Sequence, residues 1–322
     1  MKKLPAAFSV LLIFLLSFSA SATRYLIPGG QVIGMELQDS TVTVSAFDPE
    51  LGDQARAAGL REGDRILRID DTPVTCTADV RQALSRARGK VTLSLLRNGK
   101  AKQISLMPVI TDAGPRLGVY LKQGTTGVGT VTYYDPQTRN FAALGHGVNT
   151  KNGELLRLTA GSIYPARIRS VKKGTVGTPG QLIGALTGSE CLGDIQKNTK
   201  QGVFGKFTVP AEASEADALP AAEPGQVQCG SAQILSTIGD GGRQEYSVEI
   251  LKIYPGTDRT RNLLLKVTDP ALLAATGGIV QGMSGSPIIQ DGKLVGAVTH
   301  VLVNDPTTGY GIFIENMLDA AA

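Results

Sequence analysis

The sequence is poor in the residues that metal centres, disulfide frameworks and aromatic binding surfaces require. Among 322 residues there are two histidines, three cysteines and no tryptophan, and aromatic residues make up only 5%. An odd number of cysteines leaves at least one thiol unpaired, and Cys76, Cys191 and Cys229 lack the spacing of metal ligands. We therefore expect neither a zinc site nor a disulfide-stapled fold, and we expect no organic cofactor.

A strong excess of one charge is also missing. The 32 basic and 28 acidic residues are mixed along the chain and leave a net charge of +4. Nucleic-acid-binding proteins concentrate lysine and arginine in a stripe, often beside aromatic residues, and no such stripe is present. Nucleic acid is therefore not an expected partner.

The first 22 residues have the layout of an export signal. Lys2 and Lys3 precede an apolar run, and Ala20 and Ala22 form a small-residue end. The run is short for a membrane-spanning helix, which needs ~20 residues. Residues 1–22 are predicted to be a cleaved signal peptide or a retained anchor, and the body of the protein is expected to lie outside the cytoplasm.

Residues 28–110 alternate short strands with two helices. The stretch 41–47 alternates as a strand should, and Thr77 is a candidate N-cap for a helix that ends near Gly89. A hairpin turn is expected at Asn98-Gly99. This order, and above all the stretch "AGLREGDRILRIDDTPV", resembles a PDZ domain. The resemblance implies a groove for a partner's tail or strand, with Ile33, Gly34 and Met35 as peptide contacts. Plain strand packing is the alternative for those three residues.

From residue 116 to residue 322 the chain is a succession of β-like segments with glycine and proline punctuation. Helical periodicity is nearly absent, which favours a closed barrel or a pair of barrels. The expected fold class is therefore mainly β, with the α+β PDZ domain followed by a β-barrel domain. One segment, 210–226, is rich in alanine, proline and glutamate and is predicted to be a mobile surface loop.

The stretch "GMSGSPI" places Ser284 in a tight glycine turn between strands. A serine hydroxyl needs a neighbouring base to become a nucleophile, and His146 in "FAALGHGVNT" is the candidate. The backbone N–H groups of Gly282 and Ser284 are candidate donors for an oxyanion hole. An α/β-hydrolase would require a helix directly after the serine, whereas Pro287 leads into another strand.

The serine motif with an upstream histidine in a β-rich chain resembles the chymotrypsin-like serine peptidases. The stretches "YYDPQTRNFAALGHG" and "VTDPALLAATGGIVQGMSGSPIIQDGKLVGAVTHVLVNDPTTGYGIFIENML" resemble more specifically the SpoIVB peptidase family of endospore-forming bacteria. The likeness covers nearly the whole chain after residue 22. It implies a double β-barrel that cuts peptide bonds.

The resemblance also implies roles for individual residues. His146 would be the general base, Ser284 the nucleophile and Asp269 the carboxylate that orients the imidazole, with Asp194 and Asp305 as rivals for the last role. Thr299, His300 and Val301 follow the serine as a strand that would pair with substrate. As a catalytic base His300 is the weaker candidate, because the base in this architecture comes before the serine.

The family resemblance implies a cellular task as well. The protein would be exported into the space between forespore and mother cell, process itself, and cleave a membrane-bound regulator of an intramembrane protease that activates sigma-K. Its partners would be that regulator, its own chain and a peptide ligand of the PDZ domain. Two alternatives stay open: a non-catalytic PDZ signalling scaffold, and an envelope quality-control protease that carries a PDZ domain.

Overall fold

The computed structural model describes residues 23–150, 153–208, 214–256 and 259–322. The predicted export segment, 1–22, lies outside these ranges. Within them, no helix combines the length and the apolar character needed to span a bilayer.

The described chain is built mainly of strands. The strands are β1 Tyr25–Pro28, β2 Val32–Phe47, β3 Arg65–Ile69, β4 Thr72–Pro73, β5 Val91–Arg97, β6 Lys100–Leu106, β7 Val109–Thr111, β8 Gly114–Arg116, β9 Val119–Tyr134, β10 Asn140–Ala143, β11 Leu158–Lys172, β12 Gln181–Leu186, β13 Gly193–Thr199, β14 Gly202–Phe207, β15 Leu219–Pro220, β16 Gly230–Ser236, β17 Gln244–Ile253, β18 Leu263–Val267, β19 Pro287–Gln290, β20 Lys293–Leu302 and β21 Asp305–Phe313. The helices are α1 Asp53–Ala57, α2 Thr77–Arg86, α3 Pro270–Thr276 and α4 Ile314–Ala321, with 3-10 turns at Glu215–Asp217 and Pro224–Gln226.

The predicted PDZ elements are present between β2 and β9. Strands β3, β5 and β6 extend the sheet from the second half of β2, and α1 and α2 cover one apolar core with them. The N-cap of α2 is Cys76 rather than Thr77, because the Asp79 carboxylate accepts the backbone N–H groups of Thr75 and Cys76 and holds the entry turn there. The predicted hairpin joins β5 to β6.

Six strands close into a first barrel. Going round the ring they are β2, β9, β10, β14, β13 and β11, and β11 pairs again with β2. Its interior is filled by a separate apolar cluster that includes Val131, Phe141 and Ile163.

A second barrel closes from β16, β17, β18, β21, β20 and β19. Strand β17 shows how the sequence specifies it, because Tyr246, Val248 and Ile250 alternate with exposed residues and fill the interior. Apolar residues from both barrels and from α4 pack into one cluster between the barrels. The prediction of a mainly β chain with a PDZ unit and a chymotrypsin-like double barrel is confirmed.

The division into residues 28–110 and 116–322 remains a prediction, and strands β2 and β9 connect the two units. The first half of β2 is a strand of the first barrel, and its second half belongs to the PDZ sheet. Strand β9 returns along it through both units, pairing Val42–Phe47 with 119–123 and Val32–Leu37 with 125–130. The PDZ unit is therefore inserted into the first hairpin of the first barrel.

This insertion corrects the predicted peptide contacts. Ile33, Gly34 and Met35 are paired with β9 on one side and β11 on the other, so that stretch of β2 has no free edge. Ile33 and Met35 are buried in the first barrel. The three residues belong to the barrel wall, which is the strand-packing alternative, and not to a PDZ groove.

The segment between the barrels also differs from its prediction. Residues 214–226 are not a plain loop: Leu219 and Pro220 form β15, which pairs with β1, and two 3-10 turns flank that strand. Residues 209–213 lie outside the described ranges.

Candidate active site

His146 sits in the loop that follows β10 of the first barrel. The loop turns sharply because Leu144 and Gly145 both adopt left-handed conformations, with φ of 71° and 67°. A left-handed φ is unfavourable for leucine, and such strain is found where the surrounding structure fixes a functional loop. A Cβ on Gly145 would lie 2.9 Å from the Thr299 methyl group, so the loop also depends on a close approach to β20.

Ser284 sits in the turn that precedes β19 of the second barrel. Gly282 and Gly285 adopt φ of 101° and 96°, which only glycine takes readily. A Cβ on Gly285 would lie 2.2 Å from the carbonyl oxygen of Thr130 and 2.5 Å from the backbone nitrogen of Leu144. The serine turn therefore packs directly against the loop that carries His146.

Thr130 of β9 joins the two loops. Its hydroxyl donates to the carbonyl of Gly282 over 2.8 Å, its carbonyl accepts from the Leu144 N–H over 3.2 Å, and its own N–H donates to the carbonyl of Ser284 over 3.4 Å. The side chain is fully buried. Thr130 is thus a positioning residue between the barrels, and the sequence analysis missed it because it is one of several threonines in an ordinary alternating strand.

A cleft of about 980 Å³ opens between the barrels, and both His146 and Ser284 line it. Thr299, His300 and Val301 line it too. Strand β20 pairs with β21 along its far side, while its pairing with β19 stops at Ala297. The structure thus brings together the predicted base, the predicted nucleophile and the predicted substrate strand.

Two backbone N–H groups of the serine turn are uncommitted. Met283, Gly285 and Ser286 donate their N–H groups to the carbonyls of Val280, Val298 and Met283. In the described chain the N–H groups of Gly282 and Ser284 have no acceptor, and both residues face the cleft while Met283 is fully buried. These are the two amides that the sequence predicted as oxyanion donors, and that role remains a prediction.

The tautomer of His146 follows from its partner. Its Nδ1 lies 3.0 Å from the carbonyl oxygen of Gly147, and a carbonyl can only accept, so Nδ1 carries the hydrogen. Nε2 is left with a free lone pair, which is what a general base needs. Burial holds the pKa of His146 below its usual value of 6.5, and the hydrogen bond to Gly147 offsets part of that effect.

The Ser284 hydroxyl does not donate its hydrogen bond to His146. It donates to the carbonyl oxygen of Thr299 over 2.7 Å. Transfer of its proton to His146 therefore requires the hydroxyl to leave the Thr299 carbonyl first.

His300 lies beside the predicted base. The two imidazole rings have centroids 5.0 Å apart and planes tilted by 40°. Burial, together with the nearby His146 and Arg261, lowers the pKa of His300 to about 4. Its Nδ1 is buried and has no hydrogen-bond partner in the described chain.

Asp269 does not occupy the position of a triad carboxylate. It is the N-cap of α3: one carboxylate oxygen accepts the Leu272 N–H over 2.9 Å, and the other accepts the Ser247 N–H over 3.3 Å. It does not line the cleft, and the Nδ1 position where a triad carboxylate would bind is taken by Gly147. The physical reason is local: the "TDP" sequence caps a helix that begins at Pro270.

Neither rival carboxylate replaces it. Asp194 lies in β13 on the outer, exposed side of the first barrel, and Asp305 accepts hydrogen bonds from Thr307 and Thr308 at the start of β21. Those bonds hold the pKa of Asp305 below its usual value. Among the described residues that line the cleft there is no aspartate or glutamate.

Comparison with known proteins gives two family matches along the chain. The family model of the SpoIVB peptidase S55 matches residues 114–318, and that of the PDZ domain matches residues 31–107. Among solved structures, the active form of the Rv3671c protease from M. tuberculosis is similar, with 16% identity over 61% of this chain and 72% of that one, and a TM-score of 0.37. Its inactive form gives 14% identity over 60% and 81%, with a TM-score of 0.35.

Curated relatives carry the name of another protease class. A protein of Rhizobium meliloti (strain 1021) named as a zinc metalloprotease is 25% identical over 82% of this chain. The matched region spans 64% of that relative's length. A protein of Brucella suis named in the same way is 34% identical over 24% of this chain and 21% of its own length. Neither His146 nor His300 stands in a His-Glu-x-x-His sequence, which zinc proteases of that motif require.

Proposed function

Because the chain belongs to the SpoIVB peptidase S55 family, we propose that it is a serine endopeptidase with Ser284 as nucleophile and His146 as base. The observation that carries the proposal is the meeting of three features in one cleft. They are the serine hydroxyl, an imidazole whose Nε2 lone pair is free, and two uncommitted backbone N–H groups beside the serine.

The reaction begins when the Ser284 hydroxyl leaves Thr299 and gives its proton to Nε2 of His146. The serine Oγ then bonds to the carbonyl carbon of the scissile peptide, and negative charge develops on the carbonyl oxygen. The N–H groups of Gly282 and Ser284 donate hydrogen bonds to that oxygen and stabilise its charge. Loss of one such donor typically raises the activation free energy by about 3–4 kcal/mol. The protonated imidazole gives its proton to the departing amine, and water hydrolyses the acyl-enzyme by the same steps in reverse.

The orienting partner of the base is then a backbone carbonyl instead of a carboxylate. The Gly147 oxygen fixes the tautomer and the ring orientation of His146. A neutral carbonyl stabilises the imidazolium less than an ionised carboxylate does. We therefore expect a slower enzyme than one with a complete Ser-His-Asp triad, which suits a peptidase that makes few cuts.

Substrate would bind as an added strand. In the described part of the chain, the cleft-facing edge of β20 has no strand partner from Thr299 to Val301, and a peptide in extended conformation can pair there. Such pairing would carry the scissile bond past Ser284, because Thr299 already contacts the serine hydroxyl.

The PDZ unit would bind a peptide at a different edge from the one that the sequence suggested. Among the described strands, only β2 pairs with the part of β9 from Val119 to Gln123, and α2 packs near the other side of that part. The turn before it contains Gly118 at φ of 72°, pressed against the Leu51 carbonyl. A free strand edge beside a helix is the geometry that PDZ domains use for peptides.

The proposed cellular task is the one that the family resemblance implies. We infer that the chain is exported through residues 1–22, processes itself, and cleaves a membrane-bound regulator in sporulation signalling that leads to sigma-K activation. Its PDZ unit would present the substrate or hold the peptidase in check. Broad digestion of unfolded proteins would instead favour an envelope quality-control protease.

A non-catalytic scaffold is the rival outside the enzymes, and the hydrogen bond from Ser284 to Thr299 is the observation that favours it. The test uses the chain from residue 23 and a fluorophosphonate that acylates activated serines. We expect labelling at Ser284 and self-cleavage, both lost in Ser284→Ala and both kept in a matched control, Ser231→Ala, on an exposed strand position. An unlabelled and uncleaved wild type would favour the scaffold.

A further inference from the structure

Positively charged side chains line the cleft, and the described lining residues include no carboxylate. The two cations are Lys200 and Arg261, and the imidazole of His300 lines the same cleft. Within the described ranges, neither Lys200 nor Arg261 forms a salt bridge. The Arg261 guanidinium lies 5.4 Å from the centre of the Tyr310 ring, which leaves its donors available. A cleft that is cationic and unpaired in this way concentrates anionic ligands.

His300 lies next to the reacting atoms. It follows Thr299, whose carbonyl accepts the hydrogen bond of the Ser284 hydroxyl. The centroids of the His300 and His146 rings are 5.0 Å apart. Its buried Nδ1 lacks a partner in the described chain, and a buried polar atom without a partner is costly. A ligand group that contacts the His300 ring where it lines the cleft therefore lies close to the scissile bond.

The groups around His300 determine what that ligand is. They are His146 from the loop after β10, Arg261 from the segment before β18 and Tyr310 from the paired strand β21. Lys200, from the turn between β13 and β14, lines the same cleft. None is anionic at neutral pH, and His146 and Arg261 both disfavour a charge on His300. A cationic side chain would be repelled here, whereas a carboxylate offsets the repulsion and accepts hydrogen bonds.

We propose, on the basis of the serine endopeptidase function above, that the cleft selects peptides with an aspartate or glutamate side chain close to the scissile bond. Arg261 and His300 hold the carboxylate, and Lys200 adds to the positive potential. Arginine suits this task because its planar fork matches a carboxylate. These contacts determine which substrate binds, and the roles of the nucleophile and the base stay the same.

The first experiment reads the bonds that the full chain from residue 23 cuts in a library of peptides prepared from a whole-cell protein digest, by mass spectrometry. Acidic residues are expected to be enriched at one or two positions flanking the cut. Cleavage without that enrichment, or labelling of Ser284 with no cleavage of any library peptide, refutes the inference while leaving the serine activation intact. Neither labelling nor cleavage means that the proposed function itself has failed.

The second experiment compares synthetic peptides that differ only by glutamate, glutamine or lysine at the enriched position. We expect kcat/KM to be at least about tenfold higher for glutamate than for glutamine, as for a charge-assisted contact. Arg261→Gln should reduce that ratio by threefold or more, and Arg261→Glu should favour the lysine peptide. Lys252→Gln removes the same charge from β17 outside the cleft and should leave the ratio unchanged. An unchanged ratio in both Arg261 variants overturns the assignment.

The third experiment isolates His300. In the wild type the glutamate-to-glutamine ratio should rise as pH falls from 8 to 5.5, because the bound carboxylate favours the protonated form of His300. Protonation of the base lowers both rates equally and cancels in the ratio. His300→Gln should remove the pH dependence, and a slope that persists in this variant contradicts the role of His300.

Discussion

Replacement of Asp269 by serine and by alanine separates two roles that this carboxylate could have. The family resemblance makes it the triad acid, and the structure makes it the N-cap of α3, bonded to the Leu272 N–H over 2.9 Å. Serine keeps an oxygen that can cap the helix, whereas alanine does not. Both substitutions remove the carboxylate, so a triad role predicts that both inactivate the enzyme and a capping role predicts that neither does.

The two roles differ by magnitudes that an assay resolves. Loss of a cap costs typically ~1 kcal/mol of unfolding free energy, within a range of about 0.5–2 kcal/mol. The second bond, to the exposed Ser247 N–H, is replaced by water and adds little. Loss of a triad aspartate lowers kcat about 10⁴-fold, which is roughly 5 kcal/mol of activation free energy.

We therefore expect Asp269→Ala to lower the melting temperature by a few degrees, at about 2–4 °C per kcal/mol, and Asp269→Ser to lower it less. Both variants should keep kcat within tenfold of the wild type, measured with the peptide that the wild type cleaves best. His146→Ala provides the level of a true catalytic loss. If both Asp269 variants fall to that level while remaining folded, the capping interpretation is refuted, and a rearrangement must bring Asp269 to His146.

Three further predictions follow from the geometry. Gly285→Ala should abolish activity, because its Cβ would lie 2.2 Å from a backbone oxygen. The control Gly292→Ala, at φ of 70° in open space, should cost only about 1–2 kcal/mol of stability and keep kcat. Equal losses of activity in the two variants would contradict the role of the close approach at Gly285. The acid limb of kcat/KM should have its midpoint below pH 6.5, since burial lowers the pKa of His146 and the base stays neutral into mild acid; a midpoint above 6.5 would exclude His146 in this environment. Arg97→Met should lower the unfolding free energy of the PDZ unit by about 3–5 kcal/mol in a denaturant titration, because it leaves the fully buried Asp64 carboxylate without its cation; a change under 1 kcal/mol would contradict that.

Those elements that depend on local pattern could be predicted from the sequence. The helix of the PDZ unit, the hairpin at Asn98-Gly99 and the strands of both barrels follow from alternation, periodicity and turn residues, which act over a few neighbouring positions. The two uncommitted amides could be anticipated for the same reason, since the glycines around Ser284 allow the positive φ angles of a tight turn. A motif that encodes its own backbone conformation needs no distant partner.

The rest was decided by tertiary structure. No local signal says that β2 and β9 run through two units, so the PDZ insertion and the burial of Ile33 and Met35 in the first barrel could not be predicted from alternation, which looks the same in either sheet. The spacing of Asp269 from the serine likewise says nothing about which N–H groups its oxygens meet. Long-range pairing brought His146 to the serine turn through Thr130, and it placed His300 and Arg261 in a cleft free of described carboxylates. Burial and charge in that cleft are sums over residues from both barrels, and only the closed fold brings those residues together.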